Sequence, residues 1–383
     1  MTAREYVIIA DDNATVTEAL SLLLERPGRT TIVCSDVESA EIMLGRAPVT
    51  HLVTDVQFSG AFGYEGLHFL DRVRSRLPDC RIVLITGQPS DALRTAAIEH
   101  GAHAMLSKPF EIAELEAALG TSDDNRGDGG DYEVVRVASL DEILQGSDLD
   151  TAFQPIVRTT DSGEIVAFEA LTRIRGSWAG GGPAELFHYA EKLGRLRELN
   201  FRAIARAIES AASLPSTASI FVNVDPSAFG ADLLRILERS AARSGVALSR
   251  IVVEVTERSE FADPGLVVPL FRELHEKGVR FALDDHGSAY SHLSLIDEVR
   301  PSFIKISNTF GTKLEEDATH RRIVAHMSSF ARDFGCQTVL EGIESPATAL
   351  EAERLGIELA QGYHFGRPNA ASHWCAIPQL QET

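Results

Sequence analysis

The first third of the chain alternates short apolar runs with amphipathic stretches. Residues 17–24 and 91–100 carry apolar side chains at helical spacing, and Gly101 follows the second stretch as a typical helix C-terminal residue. Five apolar runs of the length of a buried strand lie around them, at residues 7–10, 31–34, 51–54, 81–85 and 103–106. This order predicts a doubly wound, flavodoxin-like parallel sheet of five strands within residues 1–120.

The rest of the chain repeats this alternation over a longer distance. Amphipathic stretches such as residues 183–212 and 319–334 predict outer helices, and Asp161-Ser162-Gly163 is a hairpin signal between the first two apolar runs. The apolar runs lie around Phe153, Phe168, Val222, Val253, Leu283, Ile304, Val339 and Ala360. The pattern therefore predicts a modified (β/α)8 TIM barrel in which one strand is antiparallel to the others.

A linker separates the two patterns. Residues 121–131 read Thr-Ser-Asp-Asp-Asn-Arg-Gly-Asp-Gly-Gly-Asp, which is polar, acidic and rich in glycine. We therefore predict one domain at residues 1–120, this linker at residues 121–131, and a second domain at residues 132–383.

Polar residues end the apolar runs of the predicted barrel. They are Glu169, Asn223, Glu254, Asp284, Asp285, Lys305, Glu341 and Gln361. The carboxyl ends of barrel strands converge on one rim, where barrel enzymes hold their chemistry. Helix capping or ordinary ion pairing explains any one of these residues, but it does not explain so many polar ends on one rim.

These residue types indicate a site for hard divalent cations. Glu169, Asn223, Glu254 and Asp284 offer three carboxylates and an amide carbonyl to Mg²⁺ or Mn²⁺, and the neighbouring Asp285 could help to bind a second ion. Two ions of this kind can activate water against a phosphodiester. In that chemistry Lys305 would orient the water or neutralise charge, and Glu341 is a candidate general base or second-metal ligand.

The predicted sheet also collects polar residues at one edge. Asp11 and Asp12 follow the first strand, Asp55 the third, Thr86 ends the fourth, and Lys108 follows the fifth. Each alone is typical of a turn or a solvated surface. Together they predict a site in which the three carboxylates bind Mg²⁺ and Asp55 could accept a phosphoryl group, with Thr86 and Lys108 holding its oxygens.

Composition narrows the function classes. The formal net charge of −20 offers no basic surface to nucleic acid or to an anionic membrane. The four cysteines form no CxxC pair, and no apolar run approaches the ~20 residues of a membrane span. The start of the chain is too polar for a signal peptide, so we expect a cytoplasmic protein with reduced thiols.

The first 120 residues resemble the receiver domain of two-component response regulators. The resemblance implies that Asp55 is phosphorylated, that Asp11 and Asp12 bind Mg²⁺, and that Thr86 and Lys108 are the switch pair. It also implies a sensor histidine kinase as partner. This chain departs from the family at Met105, where an aromatic residue is usual, and in the longer loop after Asp55.

The second domain resembles the EAL domain of cyclic di-GMP phosphodiesterases. The motifs occur in order across the domain as Gln154-Pro-Ile, Glu169-Ala-Leu-Thr-Arg173, Val222-Asn-Val, Glu254-Val-Thr-Glu257, Leu283-Asp-Asp-His-Gly287, Ile304-Lys-Ile, Glu341-Gly-Ile-Glu344 and Gln361-Gly-Tyr. The resemblance implies hydrolysis of cyclic di-GMP to linear pGpG with Mg²⁺ or Mn²⁺, and a dimer or larger oligomer.

The same resemblance assigns roles to these positions. It implies metal binding by Glu169, Asn223, Glu254, Asp284 and Asp285, and water activation by Lys305 and Glu341. Arg173, Gln154 and Gln361 would bind substrate, and Glu257 and Glu344 would support the loop after Asp285.

Two departures from the EAL pattern favour a second hypothesis. Ser307 replaces the aspartate of Lys-Ile-Asp, and the loop from Asp284 reads Asp-Asp-His-Gly-Ser-Ala-Tyr-Ser, with His286 for phenylalanine and Ala289 for glycine. The barrel could therefore bind cyclic di-GMP with weak or absent turnover and signal to a protein partner. A barrel that acts on an unrelated small substrate is a third alternative, which rests on fold analogy alone. Trp178, beside Gly180, is interpreted as part of a loop near the rim, with guanine stacking as the alternative.

Overall fold

A computed structural model describes residues 4–58, 65–120, 132–160, 163–176, 178–256, 264–286 and 299–375. The chain forms two compact units, and a segment that interrupts the sequence of the second unit belongs to the first. The first unit contains residues 1–148 and 174–195, and the second contains residues 149–173 and 196–383. Each unit is described separately below.

The first unit is built on a parallel sheet. Its strands are β1 (Glu5–Ala10), β2 (Arg29–Cys34), β3 (His51–Asp55), β4 (Arg81–Thr86), β5 (Ala104–Ser107) and β6 (Glu133–Arg136). Within the described residues their order across the sheet is β5-β4-β3-β1-β2-β6. The predicted doubly wound parallel sheet is confirmed, and β6 adds a sixth strand that the sequence pattern did not predict.

Helices lie between these strands. They are α1 (Ala14–Leu23), α2 (Val37–Leu44), α3 (Glu65–Arg76), α4 (Asp91–Glu99) and α5 (Ile112–Leu119). Side chains of Asn13, Asp36 and Ser90 accept backbone N–H groups at the starts of α1, α2 and α4, which are otherwise left without acceptors. Gly101 follows α4 with a φ of 99°, as predicted.

Two further helices belong to the first unit. They are α6 (Leu140–Gln145), which follows β6, and α7 (Pro183–Lys192). Strand β6 pairs with β2 in parallel, from Thr30 opposite Glu133 to Val33 opposite Arg136. The segment just after the predicted linker therefore completes the first sheet, whereas the linker itself, residues 121–131, lies outside the described residues.

The second unit is a closed barrel of eight strands within the described residues. The strands are β7 (Leu149–Arg158), β8 (Ile165–Ile174), β9 (Ser219–Asn223), β10 (Ile251–Thr256), β11 (Arg280–His286), β12 (Phe303–Ile306), β13 (Gln337–Leu340) and β14 (Leu359–Gln361). Strand β7 pairs with β14 in antiparallel register. The predicted modified barrel with one reversed strand is confirmed.

Outer helices surround the barrel strands. They are α8 (Leu196–Ser210), α9 (Ala231–Ser244) and α10 (Pro264–Glu276), followed by helices at Asn308–Gly311, Ala318–Asp333, Pro346–Arg354 and Ala371–Cys375. Residues 183–212, predicted as one amphipathic stretch, form two helices. Gly194, between them, adopts a φ of 67°, a conformation that ends a helix and is strained for other residues.

Alternate positions along the barrel strands point to the interior. Ile156, Ala167, Phe221, Val252, Ala282, Phe303, Val339 and Leu359 form one buried cluster. Phe221 and Phe303 pack at a centroid distance of 4.9 Å. This packed layer closes the barrel below its rim, so that polar strand ends lie above an apolar floor. None of the helices described here is both long and apolar enough to cross a bilayer.

Candidate active site at the barrel rim

The carboxyl ends of the barrel strands place the predicted polar residues together. The register of β10 and β9 sets Glu254 opposite Asn223, and β8 contributes Glu169. Lys305 lies in β12, and Glu341 directly follows β13. Because successive strands are parallel, these side chains reach the same rim although they lie far apart in sequence.

The ammonium group of Lys305 lies at the centre of this rim. Its Nζ is 2.7 Å from Glu254 Oε1, 2.8 Å from Glu341 Oε1, 3.2 Å from Asp284 Oδ1 and 3.4 Å from Glu169 Oε2. The side chain of Lys305 is only 1% exposed. Four carboxylates therefore surround one buried ammonium, which leaves an excess of negative charge when all four are ionised.

Amide side chains orient Glu169 on its other side. Gln361 Nε2 donates to Glu169 Oε2 at 2.6 Å and to Gln154 Oε1 at 3.1 Å. Asn223 Nδ2 donates to Glu169 Oε1 at 3.2 Å, and Gln154 Nε2 donates to the carbonyl oxygen of Gly366 at 3.2 Å. Both oxygens of Glu169 are thus held in place by two amides, Gln361 and Asn223, and Gln154 in turn orients Gln361.

Burial and neighbouring charges shift the pKa values of these groups. Burial raises the pKa of Glu254 well above its ordinary value, and Glu169 adds to the rise while Lys305 opposes it. Burial also raises the pKa of Glu341, again against the effect of Lys305. For Lys305, burial acts to lower the pKa, but the surrounding carboxylates, with Asp284 first, raise it well above its ordinary value.

The donor set fits hard divalent cations. Glu254 Oε2 and Gln361 Oε1 are buried and accept no hydrogen bond from any described residue, which is costly unless a cation or water binds there. Within the described ranges no three acidic, His or Cys side chains are arranged as a ready metal cage, and the Lys305 ammonium lies among the four carboxylates. The ammonium thus lies where positive charge stabilises the carboxylates, and bound cations would add to this stabilisation.

A pocket opens above these groups. Its volume is about 340 Å³, and Glu169, Asp284, Lys305, Glu341 and Gln361 are among its lining residues. A larger cleft of about 810 Å³ lies in the first unit. We assign the candidate active site to the smaller pocket, because Lys305 and three of its four carboxylate neighbours line it.

The first unit carries a second polar site. Lys108 Nζ is 2.6 Å from Asp11 Oδ2 and 2.6 Å from Asp55 Oδ2, at the carboxyl edge of the sheet. Burial raises the pKa of Asp11 although Lys108 and the Asn13 N–H lower it, and the two carboxylates raise the pKa of Lys108 against its burial. The predicted convergence of Asp11, Asp55 and Lys108 is present in the structure.

The remaining predicted residues of this edge are close in the fold. Thr86 is buried at the end of β4, where its Oγ1 accepts the Gln88 N–H at 3.1 Å and its carbonyl accepts the Lys108 N–H at 2.7 Å. Asp12 directly follows Asp11 and is exposed. Met105 is buried within β5. Most of the unusual loop after Asp55 lies outside the described residues.

Comparison with known proteins places both units in families. Residues 137–368, more than half of the chain, match the family model described as EAL domain. The chain belongs to the EAL domain family. Residues 7–120 match the model described as response regulator receiver domain. The predicted combination of a receiver with an EAL domain is therefore confirmed.

Characterised relatives extend this comparison. RocR, a cyclic di-GMP phosphodiesterase of Pseudomonas aeruginosa, is 26% identical over 363 residues, which cover 91% of this chain and 91% of RocR. The structure of the PaMucR phosphodiesterase in complex with c-di-GMP is 26% identical with a TM-score of 0.56, and the match covers 61% of this chain and 97% of that one. Other curated relatives are longer, and the chain spans 28–30% of their length.

A second solved structure supports the fold. Klebsiella pneumoniae BlrP1, solved as a manganese and cyclic di-GMP complex, is 24% identical with a TM-score of 0.53. The match covers 71% of this chain and 75% of that chain. The EAL fold of this chain is thus shared with proteins that bind a divalent metal and cyclic di-GMP.

Some residues of the EAL site were not predicted from the sequence. Asn308, Thr312 and Tyr363 line the pocket beside the predicted groups. Tyr363 is the last residue of the EAL motif Gln361-Gly-Tyr, so the motif could have indicated that Tyr363 belongs to the site. Asn308 and Thr312 reach the pocket because a short helix, Asn308–Gly311, follows Lys305 closely, and no strand-end pattern marks such a helix.

Other predicted positions differ in how they relate to the pocket. Arg173 lies one residue before the end of β8, and its Nη1 donates to the carbonyl of Thr172 at 2.9 Å. Glu344 is exposed and lines the pocket. The side chains of Asp285 and His286, and all of Glu257, lie outside the described residues.

Trp178 lies outside helix and strand in the segment that follows β8. It is buried within the first unit and stacks on Tyr189 at a centroid distance of 5.2 Å and an interplanar angle of 24°. A ring that is buried and stacked on a neighbouring side chain offers little surface to a guanine base, whereas the position of this segment near the rim remains a prediction. A glycine-flanked tryptophan looked like a surface loop, but the stacking partner is fixed by α7, which sequence periodicity did not assign to the first unit.

Proposed function

We propose that this protein hydrolyses cyclic di-GMP to linear pGpG at the rim of its barrel, under control of the receiver. The observation that carries the proposal is the set of four carboxylates around the buried Lys305 ammonium, with buried oxygens that lack a partner among the described residues. Such a set attracts divalent cations and, through them, a phosphodiester. The EAL family match and the named relatives support the substrate.

The metal ligands would be the residues that the sequence selected. Glu169, Asn223, Glu254, Asp284 and Asp285 would hold Mg²⁺ or Mn²⁺, with two ions in the site. Bound ions of this kind supply an activated water and a positive anchor for the phosphodiester. Gln361 and Asn223 hold the two oxygens of Glu169 and so fix the direction of its lone pairs.

Two residues of the rim would move or balance charge. Glu341 lies 2.8 Å from Lys305, and its raised pKa brings it closer to neutrality, which suits a group that takes a proton from the attacking water. The surrounding carboxylates raise the pKa of Lys305 and so favour its charged form, which would neutralise the negative charge that develops on the phosphate. Arg173, Gln154 and Gln361 would position the substrate, with Glu257 and Glu344 supporting the adjoining loop.

The receiver would supply control. Asp55 would accept a phosphoryl group from a sensor histidine kinase, with Mg²⁺ held by Asp11 and Asp12. Lys108 already bonds Asp55 and would then bond a phosphoryl oxygen, and the Thr86 hydroxyl would hold another. This rearrangement would change the activity of the barrel.

A product assay tests the proposal. Purified protein is incubated with cyclic di-GMP and Mn²⁺ or Mg²⁺, with and without acetyl phosphate, and pGpG is separated by chromatography. We expect metal-dependent pGpG and a rate that changes with acetyl phosphate in the wild type but not in Asp55→Asn. Absence of pGpG under all conditions would overturn the proposal.

A matched pair of lysine variants sharpens this assay. Lys305→Met removes the buried ammonium and is expected to lower the rate by about 100-fold or more, since electrostatic groups at a reacting centre are worth this much. Lys277→Met removes an exposed lysine whose partner is Glu238, and it should leave the rate unchanged. Equal rates for both variants would remove Lys305 from the proposed chemistry.

A second candidate function is a cyclic di-GMP effector with little or no turnover. The observation that favours it is Ser307, which is buried beside the pocket at the start of the Asn308–Gly311 helix and supplies a hydroxyl where the EAL pattern has a carboxylate. Ser307→Asp is the test. A rise in pGpG formation would show that the missing carboxylate limits turnover, whereas micromolar binding with no turnover in either form would favour the effector.

A further inference from the structure

Helix α7 is an integral part of the first unit although it lies inside the EAL sequence match. Residues 174–195 group with the receiver sheet, while β8, which ends at Ile174, brings Glu169 to the barrel rim. The chain therefore passes from a catalytic strand directly into an element that packs with the receiver, and then returns to the barrel at α8.

One anchor of α7 is a buried tyrosine. The Tyr189 hydroxyl donates to Asp36 Oδ2 at 2.5 Å, and Tyr189 is fully buried. The Tyr189 ring stacks on Trp178. Burial and the Asp36 charge both raise the pKa of Tyr189, so the hydroxyl remains a donor. A buried hydrogen bond to a charged group is among the stronger single contacts in a protein.

A second anchor lies one helical turn along. Lys192 Nζ is 2.6 Å from Glu41 Oε2, and the Glu41 side chain is only 7% exposed. Arg72 of α3 also pairs with Glu41. Tyr189 and Lys192 are separated by three residues, so both lie on the face of α7 that packs on α2. The helix is thus held at two points by acidic groups of α2 and its N-cap.

The first anchor shares a cleft with Asp11 and Asp12, the predicted receiver metal ligands. Strands β1 and β2 are in register from Glu5 to Ala10, and the Asp11 N–H donates to the Cys34 carbonyl at 3.2 Å. Asp36 follows Cys34 by two residues. The cleft of about 810 Å³ in this unit is lined by Asp11, Asp12, Asp36 and Tyr189. Lys108 bonds both Asp55 and Asp11, so a change of charge at Asp55 can reach this cleft through Asp11.

We propose that α7 is the element that transmits the state of Asp55 to the barrel, through the hydrogen bond from Tyr189 to Asp36 and the ion pair of Lys192 with Glu41. The inference rests on the proposed control by phosphorylation. When a phosphoryl group moves from acetyl phosphate to an Asp55 oxygen, with release of acetate, Lys108 exchanges a carboxylate partner for a phosphoryl oxygen. The sheet edge that carries Asp11 and Asp36 then shifts, and α7 shifts with it. Because residue 174 is the last residue of β8, the displacement passes into β8 and reaches Glu169.

Tryptophan fluorescence tests the receiver half of this relay without any need for hydrolysis. The chain has two tryptophans, Trp178 beside Tyr189 and Trp374 in the barrel, where its Nε1 donates to the Phe153 carbonyl at 2.8 Å. In Trp374→Phe the emission reports Trp178 alone. We expect acetyl phosphate with Mg²⁺ to change this emission, and Asp55→Asn or Tyr189→Phe to abolish the change.

Hydrogen exchange gives the same information on the unmodified chain. The peptide that covers residues 183–192 should change its amide exchange rate on addition of acetyl phosphate, and the change should be absent in Asp55→Asn. This measurement keeps the test decisive if Trp374→Phe fails to fold. Unchanged exchange and unchanged emission in a protein shown by mass to be phosphorylated would overturn the relay.

Activity then tests the barrel half. Tyr189→Phe and Lys192→Met should keep the rate without phosphodonor within about twofold, while the ratio of rates with and without acetyl phosphate falls towards one. His188→Ala is the matched control, because His188 lies on the same helix with its side chain 59% exposed, and it should keep the wild-type ratio. A wild-type ratio in Tyr189→Phe and Lys192→Met would overturn the relay.

The two proposals fail in different ways. If the wild type forms no pGpG, the proposed hydrolysis is wrong, whereas emission and exchange at α7 still report whether this helix senses Asp55. If the wild type forms pGpG at a rate that depends on acetyl phosphate, but α7 shows no response, the hydrolysis stands and the relay is wrong.

Discussion

At the scale of single residues, the barrel rim is defined by charge that the fold cannot balance alone. One buried ammonium, Lys305, lies within 3.4 Å of four carboxylates. Ionising all of them in a buried site is unfavourable, which is why burial and mutual repulsion raise the pKa of Glu254. A site of this kind is less stable without cations than with them, and this difference can be measured.

Glu254→Gln should stabilise the metal-stripped protein while abolishing activity. A carboxyl group whose folded pKa is raised contributes stability below its unfolded pKa, and that contribution is lost as the pH rises through the folded pKa. In EDTA, the unfolding free energy of the variant should therefore increase relative to that of the wild type between pH 5 and pH 8, by at most about 1.4 kcal/mol per pH unit. Urea unfolding at each pH measures the difference.

Metal provides the control for this prediction. Mn²⁺ should raise the unfolding free energy of the wild type and raise that of Glu254→Gln much less, because the amide offers a single neutral oxygen in place of a carboxylate. A wild type that is equally stable with and without Mn²⁺, or a variant that loses as much stability as the wild type in EDTA as the pH rises, would contradict the role of Glu254 as a ligand.

At the scale of elements, the position of Glu341 depends on a close contact with the short helix Asn308–Gly311. A Cβ atom at Gly311 would lie 1.7 Å from the carbonyl oxygen of Glu341, so glycine is required for the helix to approach. This contact fixes the backbone that carries a proposed catalytic carboxylate, and it lies next to the pocket-lining Asn308.

Gly311→Ala should therefore displace Glu341. Forcing a methyl group into this contact is expected to cost about 1–3 kcal/mol of stability, and a shift of about 1 Å at the carboxylate would lower the rate by about 100-fold. The matched control is Gly45→Ala, where the nearest atom to the new Cβ, the Ile42 carbonyl oxygen, is 3.5 Å away. Similar rates and unfolding midpoints for the two variants would show that the contact does not position Glu341.

At the scale of the whole molecule, the compact units do not follow the order of the sequence. The first unit takes β6, α6 and α7 in addition to the receiver. The start of the second domain at residue 132 remains a prediction. A fragment that begins there would lack the receiver residues Asp36 and Glu41 that anchor α7.

We expect the fragment of residues 132–383 to expose apolar surface. Leu186, Tyr189 and Ala190 are fully buried in the intact chain, and removal of the receiver takes away the partners of α7. The fragment should bind a hydrophobic dye and self-associate in size-exclusion chromatography, whereas the full chain should not. Tyr189→Ser in the fragment should reduce dye binding. A monodisperse fragment without dye binding would instead support the predicted boundary.

Much of this architecture could be predicted from the sequence, for reasons visible in particular residues. Apolar runs such as residues 81–85 and the strand around Val253 are long enough to be buried on both faces, and parallel strands of this kind need intervening helices. The polar residue that ends each run must then lie at one edge, so the sequence alone predicts that Glu169, Glu254 and Glu341 lie together. Strand β6 was missed because its four residues, Glu133–Arg136, are largely exposed and show no apolar run.

The sequence by itself determined both fold classes, the reversed first strand of the barrel, and which polar residues end the strands at the barrel rim and at the edge of the sheet. These features depend on local periodicity, on turn residues, and on motifs read in order along the chain. Only the tertiary structure decided that Lys305 lies among four carboxylates, that Asn308 and Thr312 line the pocket, and that α7 packs with the receiver. The physical reason is that these contacts join residues distant in sequence through packing and unpaired charge, which no local pattern records.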